Sequence, residues 1–431
     1  MGLAVRVYIE TYGCWLNKAD SKVIETLVLQ HGHKLVKSPC QANIVVINTC
    51  AVRGDTERRM LRRLTELEEL RKKYGFHLVV AGCLTPVRGA TIHRISPSAS
   101  ILGPNALDRF LEVLQGRTVL DISPFKRRTC QLLPQYNPQR DGIVHVVPIA
   151  VGCQGACTFC IEPFIRRYLT SYPPQLIIDN ISKAVSRGAR LIVLTAQDVA
   201  AYGKDLGTNL VKLLSEILSR IEGDFLLRLG MMEPSLVRDF VDELVELYAD
   251  HRVMKYLHLP LQSGDNKVLE YMNRKYTVEE YNEIVHAFRE KFPNLFLATD
   301  IIVGFPGEGE REFQNTVREL EKIRPDKVHV ARYTLRPFSD GFVRKQVLEP
   351  VKKARSQIIS KLAEKIALER NKRHIGKVEN MIVMEVKEQV KGRLLNFKPV
   401  IVEGRASLGQ IVKVRIVRAT PIDLRGVFFK T

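Results

Sequence analysis

Six of the eight cysteines in this 431-residue chain occupy positions where thiolates could act together. The tightest group is Gly152-Cys153-Gln154-Gly155-Ala156-Cys157-Thr158-Phe159-Cys160, a C-x3-C-x2-C run. Three thiolates so close in one loop can hold three irons of a cubane cluster, leaving the fourth iron without a protein ligand. An open iron can bind a small molecule and pass it an electron. The competing chemistry is zinc, which favours four ligands in C-x2-C pairs; the nearest histidine, His145, falls inside the preceding predicted strand and points poorly for that role. The spacing favours the cluster, with zinc as the alternative. Cys14, Cys50 and Cys83 lie far apart and form no short motif.

The second set acquires meaning once elements are placed. Val5, Val7 and Ile9 alternate as a strand, 20–30 has helical spacing and runs into Gly32, 44–47 is a β-branched run, 55–74 reads as a long charged helix and 78–80 as a third buried strand. Continuous apolar strands alternating with helices predict an open parallel sheet covered on both faces. Cys14, Cys50 and Cys83 each fall just past the carboxyl end of one of these strands, the edge where ligands of open α/β sheets gather. They are expected to converge as a second three-thiolate site with one open iron. A buried cysteine acting as a small hydrophobe would explain any one of them, but less readily three at equivalent positions. Cys40 and Cys130 fit neither set and read as ordinary cysteines.

From Val144 the rhythm restarts, with strands expected at 146–149, 191–194, 225–229, 256–261, 295–303 and 328–333 and helices such as 209–221 and 308–323 between them. Six such units predict a partial or complete parallel barrel, with chemistry at the carboxyl ends of its strands. Beyond about residue 367 the helical pattern stops. Runs at 381–386, 397–402 and 411–417, punctuated by Gly376, Gly392, Gly404 and Gly409, read as a small all-β barrel. The fold class is α/β: an N-terminal open parallel α/β sheet domain (1–118), a linker with Pro124, Pro134, Pro138 and the run Lys126-Arg127-Arg128 (119–142), a central partial (β/α) barrel (143–366) and a small β-barrel (367–431).

Length allows two or three domains with ample core. A mean hydropathy of −0.07 with regular apolar runs excludes disorder. No run approaches the roughly 18 apolar residues of a membrane span, and the start alternates as a strand rather than a leader, so a soluble, cytoplasmic chain without membrane contact is expected. Eight cysteines in such a chain favour ligation or catalysis over disulfides. The formal charge is +19, unevenly spread: 1–118 carries net +7, 367–431 net +8, and 143–366 has 31 basic against 29 acidic residues. Either a polyanion touches both ends while the middle does chemistry, or the surface is simply basic and solvated.

The chain resembles the radical S-adenosylmethionine methylthiotransferases along nearly its whole length, most of all the branch that converts N6-threonylcarbamoyladenosine in tRNA to its 2-methylthio derivative. The matching runs are Thr11-Tyr12-Gly13-Cys14 with Asn17 and Asp20, Asn48-Thr49-Cys50, Ala81-Gly82-Cys83, the Cys153 to Cys160 loop, Leu194-Thr195-Ala196-Gln197-Asp198, His258-Leu259-Pro260-Leu261-Gln262-Ser263-Gly264, Met272-Asn273-Arg274-Lys275 and Thr299-Asp300-Ile301-Ile302-Val303-Gly304-Phe305-Pro306-Gly307-Glu308. The resemblance implies a radical-SAM barrel between a methylthiotransferase domain and a TRAM domain. It implies two [4Fe-4S] clusters: Cys153, Cys157 and Cys160 would hold the one that cleaves S-adenosylmethionine to a 5′-deoxyadenosyl radical. Cys14, Cys50 and Cys83 would hold the auxiliary one that carries or activates the sulfur. The radical would take hydrogen from C2 of the adenine at position 37 in the anticodon loop, chemistry that a cofactor supplies and side chains cannot. An electron donor and a sulfur source are implied partners.

Thr195, Gln197, Gln262, Ser263, Asp300, Gly304 and Phe305 fall at carboxyl ends of predicted barrel strands and are expected cofactor contacts, with Phe159 packing on the cofactor's adenine. Arg393, Lys398, Arg405, Lys413, Arg415 and Arg418 are the expected phosphate contacts, with Phe397 as a stacking ring. Alternative substrates within the resemblance are an aspartate of a ribosomal protein and isopentenyladenosine in tRNA; outside it stands a zinc-containing RNA-binding protein. Leu261-Gln262-Ser263-Gly264 resembles the tRNA enzymes, and Ala201-Tyr202-Gly203 with Gly207-Thr208-Asn209-Leu210 the threonylcarbamoyl branch. Two runs depart from the family: Arg166 is followed by Arg167 instead of glycine, and Arg332-Tyr333-Thr334-Leu335-Arg336-Pro337-Phe338-Ser339 replaces a Ser-x-Arg-Pro-Gly-Thr-Pro pattern.

Overall fold

The computed structural model describes residues 4–52, 54–129, 131–339 and 344–429, so Cys130 lies outside the described residues. The chain opens with a six-stranded parallel sheet in the order Lys34–Leu35, Arg6–Thr11, Ile44–Thr49, His77–Gly82, Ser100–Leu102, Leu120–Asp121. Ile44–Thr49 is buried at every position, which is why it lacks polar alternation. The helix Trp15–Gln30 covers one face through Val23, Ile24 and Leu27, and Gly54–Tyr74 the other through Met60, Leu64 and Leu67. The first helix starts earlier than its apolar spacing suggests because Cys14 takes its N-cap position in extended backbone.

Six further parallel strands form a partial barrel. Val144–Pro148, Leu191–Thr195 and Leu226–Leu229 make one half; Tyr256–His258, Phe296–Val303 and Lys327–Arg332 make the other, joined by parallel bridges Leu227 to Val253 and Met231 to His258. Ile192, Leu194, Leu227, Leu229 and Leu297 face outward against Ile177, Ile181, Leu213 and Ile217 of the covering helices. The alternate positions face inward: Val146, Val193 and Arg228 stand side by side in register, as do His258 with Ala298 and Asp300 with His329. No helix among the described residues is long and apolar enough to cross a membrane.

The last unit is a closed five-stranded barrel in the order Val378–Val386, Val390–Leu394, Pro399–Glu403, Leu424–Phe428, Ile411–Ala419. Val390–Leu394 and Leu424–Phe428 escape a sequence reading because each is short and interrupted by glycine. The helical pattern expected to end near residue 367 continues to Lys372. That extension buries Arg370, whose guanidinium meets Asp326 at 2.8 Å, and Lys398 of the small barrel reaches the same carboxylate at 2.5 Å. Lys398 is 2% exposed. The stretch 119–142 also packs, adding the edge strand Leu120–Asp121 and the buried Arg128 to the first unit.

Burial alone would raise the Asp326 carboxyl, but Lys398 and Arg370 hold it below the usual range. Its contribution is therefore complete above about pH 4 and lost as pH falls through the folded value. Asp326→Asn would strand two buried cations and is expected to destabilise the chain by about 3–5 kcal/mol. Thermal melts from pH 7 to 3 check both points: the gap between wild type and variant should narrow as the pH drops.

Candidate active site

The loop carrying Cys153, Cys157 and Cys160 is pinned at its base by the antiparallel pair Ala150–Val151 and Thr170–Ser171. Gly152 enters it at φ +103°, and a Cβ there would come 2.1 Å from the Tyr168 carbonyl oxygen, so only glycine permits the turn. Gln197 Oε1 accepts from the Gly152 amide at 2.9 Å. The loop's far side rests on the Met272 to Arg274 run: the Thr158 amide donates to Met272 O, Asn273 Nδ2 to Ala156 O, and Arg274 Nη1 to Cys157 Sγ at 3.0 Å. Backbone amides of Gly155 and Glu162 donate to the sulfurs of Cys153 and Cys160 at 3.3 and 3.4 Å. Donors aimed at all three sulfurs suit thiolates rather than thiols.

Cys14, Cys50 and Cys83 converge at the carboxyl edge of the first sheet. Asn17 Nδ2 bonds the carbonyls of Tyr12 and Thr49, and its Oδ1 accepts from Cys83 Sγ at 3.5 Å. Asn48 Nδ2 returns the bond to Asn17 O, so two asparagines knit the three loops. Gly82 has φ +96°, and a Cβ there would lie 2.2 Å from Asn48 Oδ1. Burial pushes the thiols up, Cys50 to about 11 and Cys153 to about 12, with Cys83 and Cys160 also well raised. A bound cation is what would draw those protons off.

A buried polar network joins the two sets. Asp20 receives Arg128 Nη1 on one oxygen and Arg166 Nη2 on the other, both at 2.6 Å, and Arg166 Nη2 also lies 3.6 Å from Cys83 Sγ. Asp20 and Arg166 are each 1% exposed. Burial would raise the Asp20 carboxyl, but Arg166 and Arg128 hold it below its ordinary range. Glu162, two residues after Cys160, is close enough to act electrostatically on Cys14, Cys50 and Cys83 as well as Cys153 and Cys160. Ile161 and Ile165 share an apolar cluster with Cys50 and Cys83, the Glu162 amide donates to Cys160 Sγ and Arg166 reaches Cys83, so the two cysteine sets face each other across Glu162 and Arg166. In the sequence Asp20 stood out only within a matching run, Arg166 only in a departing one and Arg128 only in the basic run of the linker, while Glu162 did not stand out. The signal available was acid and base immediately beside the ligand loop.

The other expected contacts divide. Gln197 sits at the loop mouth, and Gln262 carries a buried Oε1 with no hydrogen-bond partner. Thr195 and Asp300 lie on the inner face, by alternation with Val193 and Ala298. Ser263 is buried with its hydroxyl 3.3 Å from that of Thr316, away from the mouth. Phe159 and Phe305 pack with Met272 and Tyr333 in a small apolar cluster, and Gly304 abuts Lys352. Two inner-face histidines were missed: among the described residues, His258, Asp300 and His329 are the one trio whose ligand atoms lie within 4.8 Å of one another.

Of the expected phosphate contacts, Arg405, Lys413, Arg415 and Arg418 are exposed on the small barrel. Lys398 is corrected: its ammonium is spent on Asp326 inside the interface, where no phosphate reaches. Phe397 is half-buried against Tyr256, and Arg393 lies over its ring at 4.5 Å. The two departing runs also find a use. Arg167 lies 6.0 Å from the Phe125 ring, and Phe338 stacks on Phe164 while Arg336 bonds Ala51 O and Glu57.

A Radical SAM superfamily pattern matches residues 147–320, and the pattern of an uncharacterized protein family, UPF0004, matches 6–103. The radical S-adenosylmethionine methyltransferase TsrM from Kitasatospora setae superposes with a TM-score of 0.59 at 15% identity, covering 78% of this chain and 75% of that one. That likeness is one of fold, and the superfamily pattern over 147–320 makes it a radical SAM fold. A Pyrococcus horikoshii protein named as a probable threonylcarbamoyladenosine tRNA methylthiotransferase is 42% identical over 98% of this chain and 99% of its own. A Fusobacterium nucleatum tRNA-2-methylthio-N(6)-dimethylallyladenosine synthase is 31% identical over 97% and 98%. The chain belongs to the radical S-adenosylmethionine methylthiotransferases, on the branch of the Pyrococcus relative. It is therefore an enzyme that uses S-adenosylmethionine and a [4Fe-4S] cluster.

Asp20→Asn leaves Arg128 and Arg166 buried with their counter-charge gone and is expected to cost about 3–5 kcal/mol. The loss should appear as a lower melting temperature together with faster alkylation of Cys83.

Proposed function

We propose that this enzyme installs a methylthio group at C2 of N6-threonylcarbamoyladenosine at position 37 of tRNA, using two [4Fe-4S] clusters. Cys153, Cys157 and Cys160 would hold one and Cys14, Cys50 and Cys83 the other. The observation that supports this reading is the opposition of two three-thiol sets across the segment that holds Glu162 and the buried Arg166. A zinc module needs no second set of thiols. The name of the Pyrococcus relative supports the substrate.

When bound, the clusters supply reductive cleavage of S-adenosylmethionine at one site and sulfur for methylation at the other. In the net reaction the C2–H bond breaks and a C–S bond forms; the hydrogen leaves on 5′-deoxyadenosine and the methyl comes from a second S-adenosylmethionine. Electrons and sulfur come from an electron donor and a sulfur source outside the chain. The chain's own residues position and exclude. Gln197 fixes the entry to the ligand loop, Arg274 and two amides stabilise the thiolates, and Arg166 holds Cys83 toward the loop. Arg405, Lys413, Arg415 and Arg418 would grip RNA phosphates, so affinity should fall with salt by about 0.7 log units per log unit for each single-strand contact. We read 1–118, 143–366 and 367–431 as the corresponding functional units, joined by 119–142.

Anaerobic reconstitution should yield about eight irons and eight sulfides per chain; tight zinc without charge-transfer absorption would defeat the proposal. Cys83→Ala is expected to retain cleavage to 5′-deoxyadenosine yet stop methylthiolation, whereas Cys157→Ala stops both. Mass spectrometry of tRNA nucleosides from cells lacking the gene tests the substrate, and unchanged methylthio-threonylcarbamoyladenosine would exclude it.

A further inference from the structure

Where the three units meet, a buried and a half-buried guanidinium lie close together, and among the described residues no acid pairs with either. Arg228 projects from Leu226–Leu229 onto the inner face of the barrel and is 5% exposed. Its guanidinium carbon stands 4.2 Å from the Tyr256 ring centroid, 4.7 Å from Phe397 and 5.9 Å from Trp15, rings contributed by the barrel, the small barrel and the first helix. Nε and Nη1 are buried and have no hydrogen-bond partner among the described residues. Arg393 approaches the same Phe397 ring at 4.5 Å, and its Nη1 donates to the Phe397 carbonyl at 3.2 Å.

Aromatic faces attract a cation by about 0.5–2 kcal/mol each, too little to offset the desolvation of a buried ion, which is several kcal/mol. A second guanidinium close by adds repulsion: burial first, then Arg228, pull the Arg393 proton affinity down. Arginine does not escape by losing its proton. Phe397, moreover, is held at φ +73°, a conformation costly for a side chain with a Cβ. Strain, an unsatisfied buried cation and like-charge proximity in one spot all describe a place arranged for an anion. Trp15 directly follows Cys14, which ties the spot to the second cysteine set.

We propose that Arg228, backed by Arg393 and walled by Trp15, Tyr256 and Phe397, binds an oxyanion carried by the RNA substrate. The inference rests on the tRNA reading above. Two oxyanions of that substrate have the right chemistry: a backbone phosphate, and the α-carboxylate of the threonylcarbamoyl group. On adenine, C2 and the N6 substituent flank N1 on the same edge, so a carboxylate held at Arg228 would leave C2 turned along that edge toward the region of Cys14. Bound in this way, the carboxylate would mark the base as already carrying its first modification.

The test uses the full, anaerobically reconstituted chain and fluorescence anisotropy with two anticodon stem-loop RNAs, one bearing threonylcarbamoyladenosine and one plain adenosine at the same position. Arg228→Met is expected to weaken binding of the modified RNA by about tenfold or more, the scale of one lost charge-assisted contact. If the carboxylate is the ligand, plain RNA binding stays within about twofold and the preference for modified RNA disappears. If a phosphate is the ligand, both RNAs weaken alike and the salt slope falls by about 0.7. Arg228→Lys should recover part of either loss, and Arg393→Met provides an independent reading should Arg228→Met fail to melt cooperatively. Binding of both RNAs by both methionine variants within about twofold of wild type would overturn the proposal. A wild-type chain that binds neither RNA would instead overturn the substrate reading on which it rests.

Discussion

The site depends on one buried carboxylate. Asp20, on the first helix, is held by Arg128 from the stretch after the first sheet and by Arg166 from the far end of the cysteine loop. Desolvating three charges costs several kcal/mol per ion, so the network adds little net stability. Its value is positional. The carboxylate can be satisfied only if two segments more than 100 residues away in sequence arrive together, and when they do, Arg166 is delivered to Cys83.

Two glycines extend the same constraint to the backbone. Gly82 and Gly152 each lie directly before one of the six cysteines, in conformations and contacts closed to any side chain. The first lets the third strand end against Asn48; the second lets the cysteine loop leave the barrel strand past Tyr168. With Asn17, Asn48, Gln197 and Arg274 holding the intervening segments, little freedom remains for either thiol set. Preorganisation of this kind is what a reaction through a short-lived radical requires, because a misplaced target is lost to side reactions.

The small barrel is basic in sequence, but part of that charge faces inward. Lys398 and Arg370 converge on Asp326, and Arg393 joins Arg228 at the seam, so the exposed side is left to Arg405, Lys413, Arg415 and Arg418. Docking therefore uses cations for two purposes, one neutralised by a carboxylate and one left open. The count of charges in a segment could not separate these, since lysine and arginine bury their heads only where a specific counter-ion or ring stack waits.

Much of the architecture was legible before folding. Periodicity located the parallel strands, and the rule that ligands gather at strand carboxyl ends brought Cys14, Cys50 and Cys83 together despite spacings of 36 and 33 residues. Short glycine-interrupted strands such as Val390–Leu394 were not legible, because their stability comes from barrel closure rather than local propensity. Neither was the role of Lys398, which has the residue type of a phosphate contact but the environment of an interface. By itself the sequence determined the six thiols, the order of the three units and the chemistry the thiols can host, since these follow from residue type and local pattern. Tertiary structure alone decided that the two sets face each other across Glu162 and Arg166, and which cations remain unpaired, because burial and opposing charge are properties of segments distant in the chain that only the fold brings within reach.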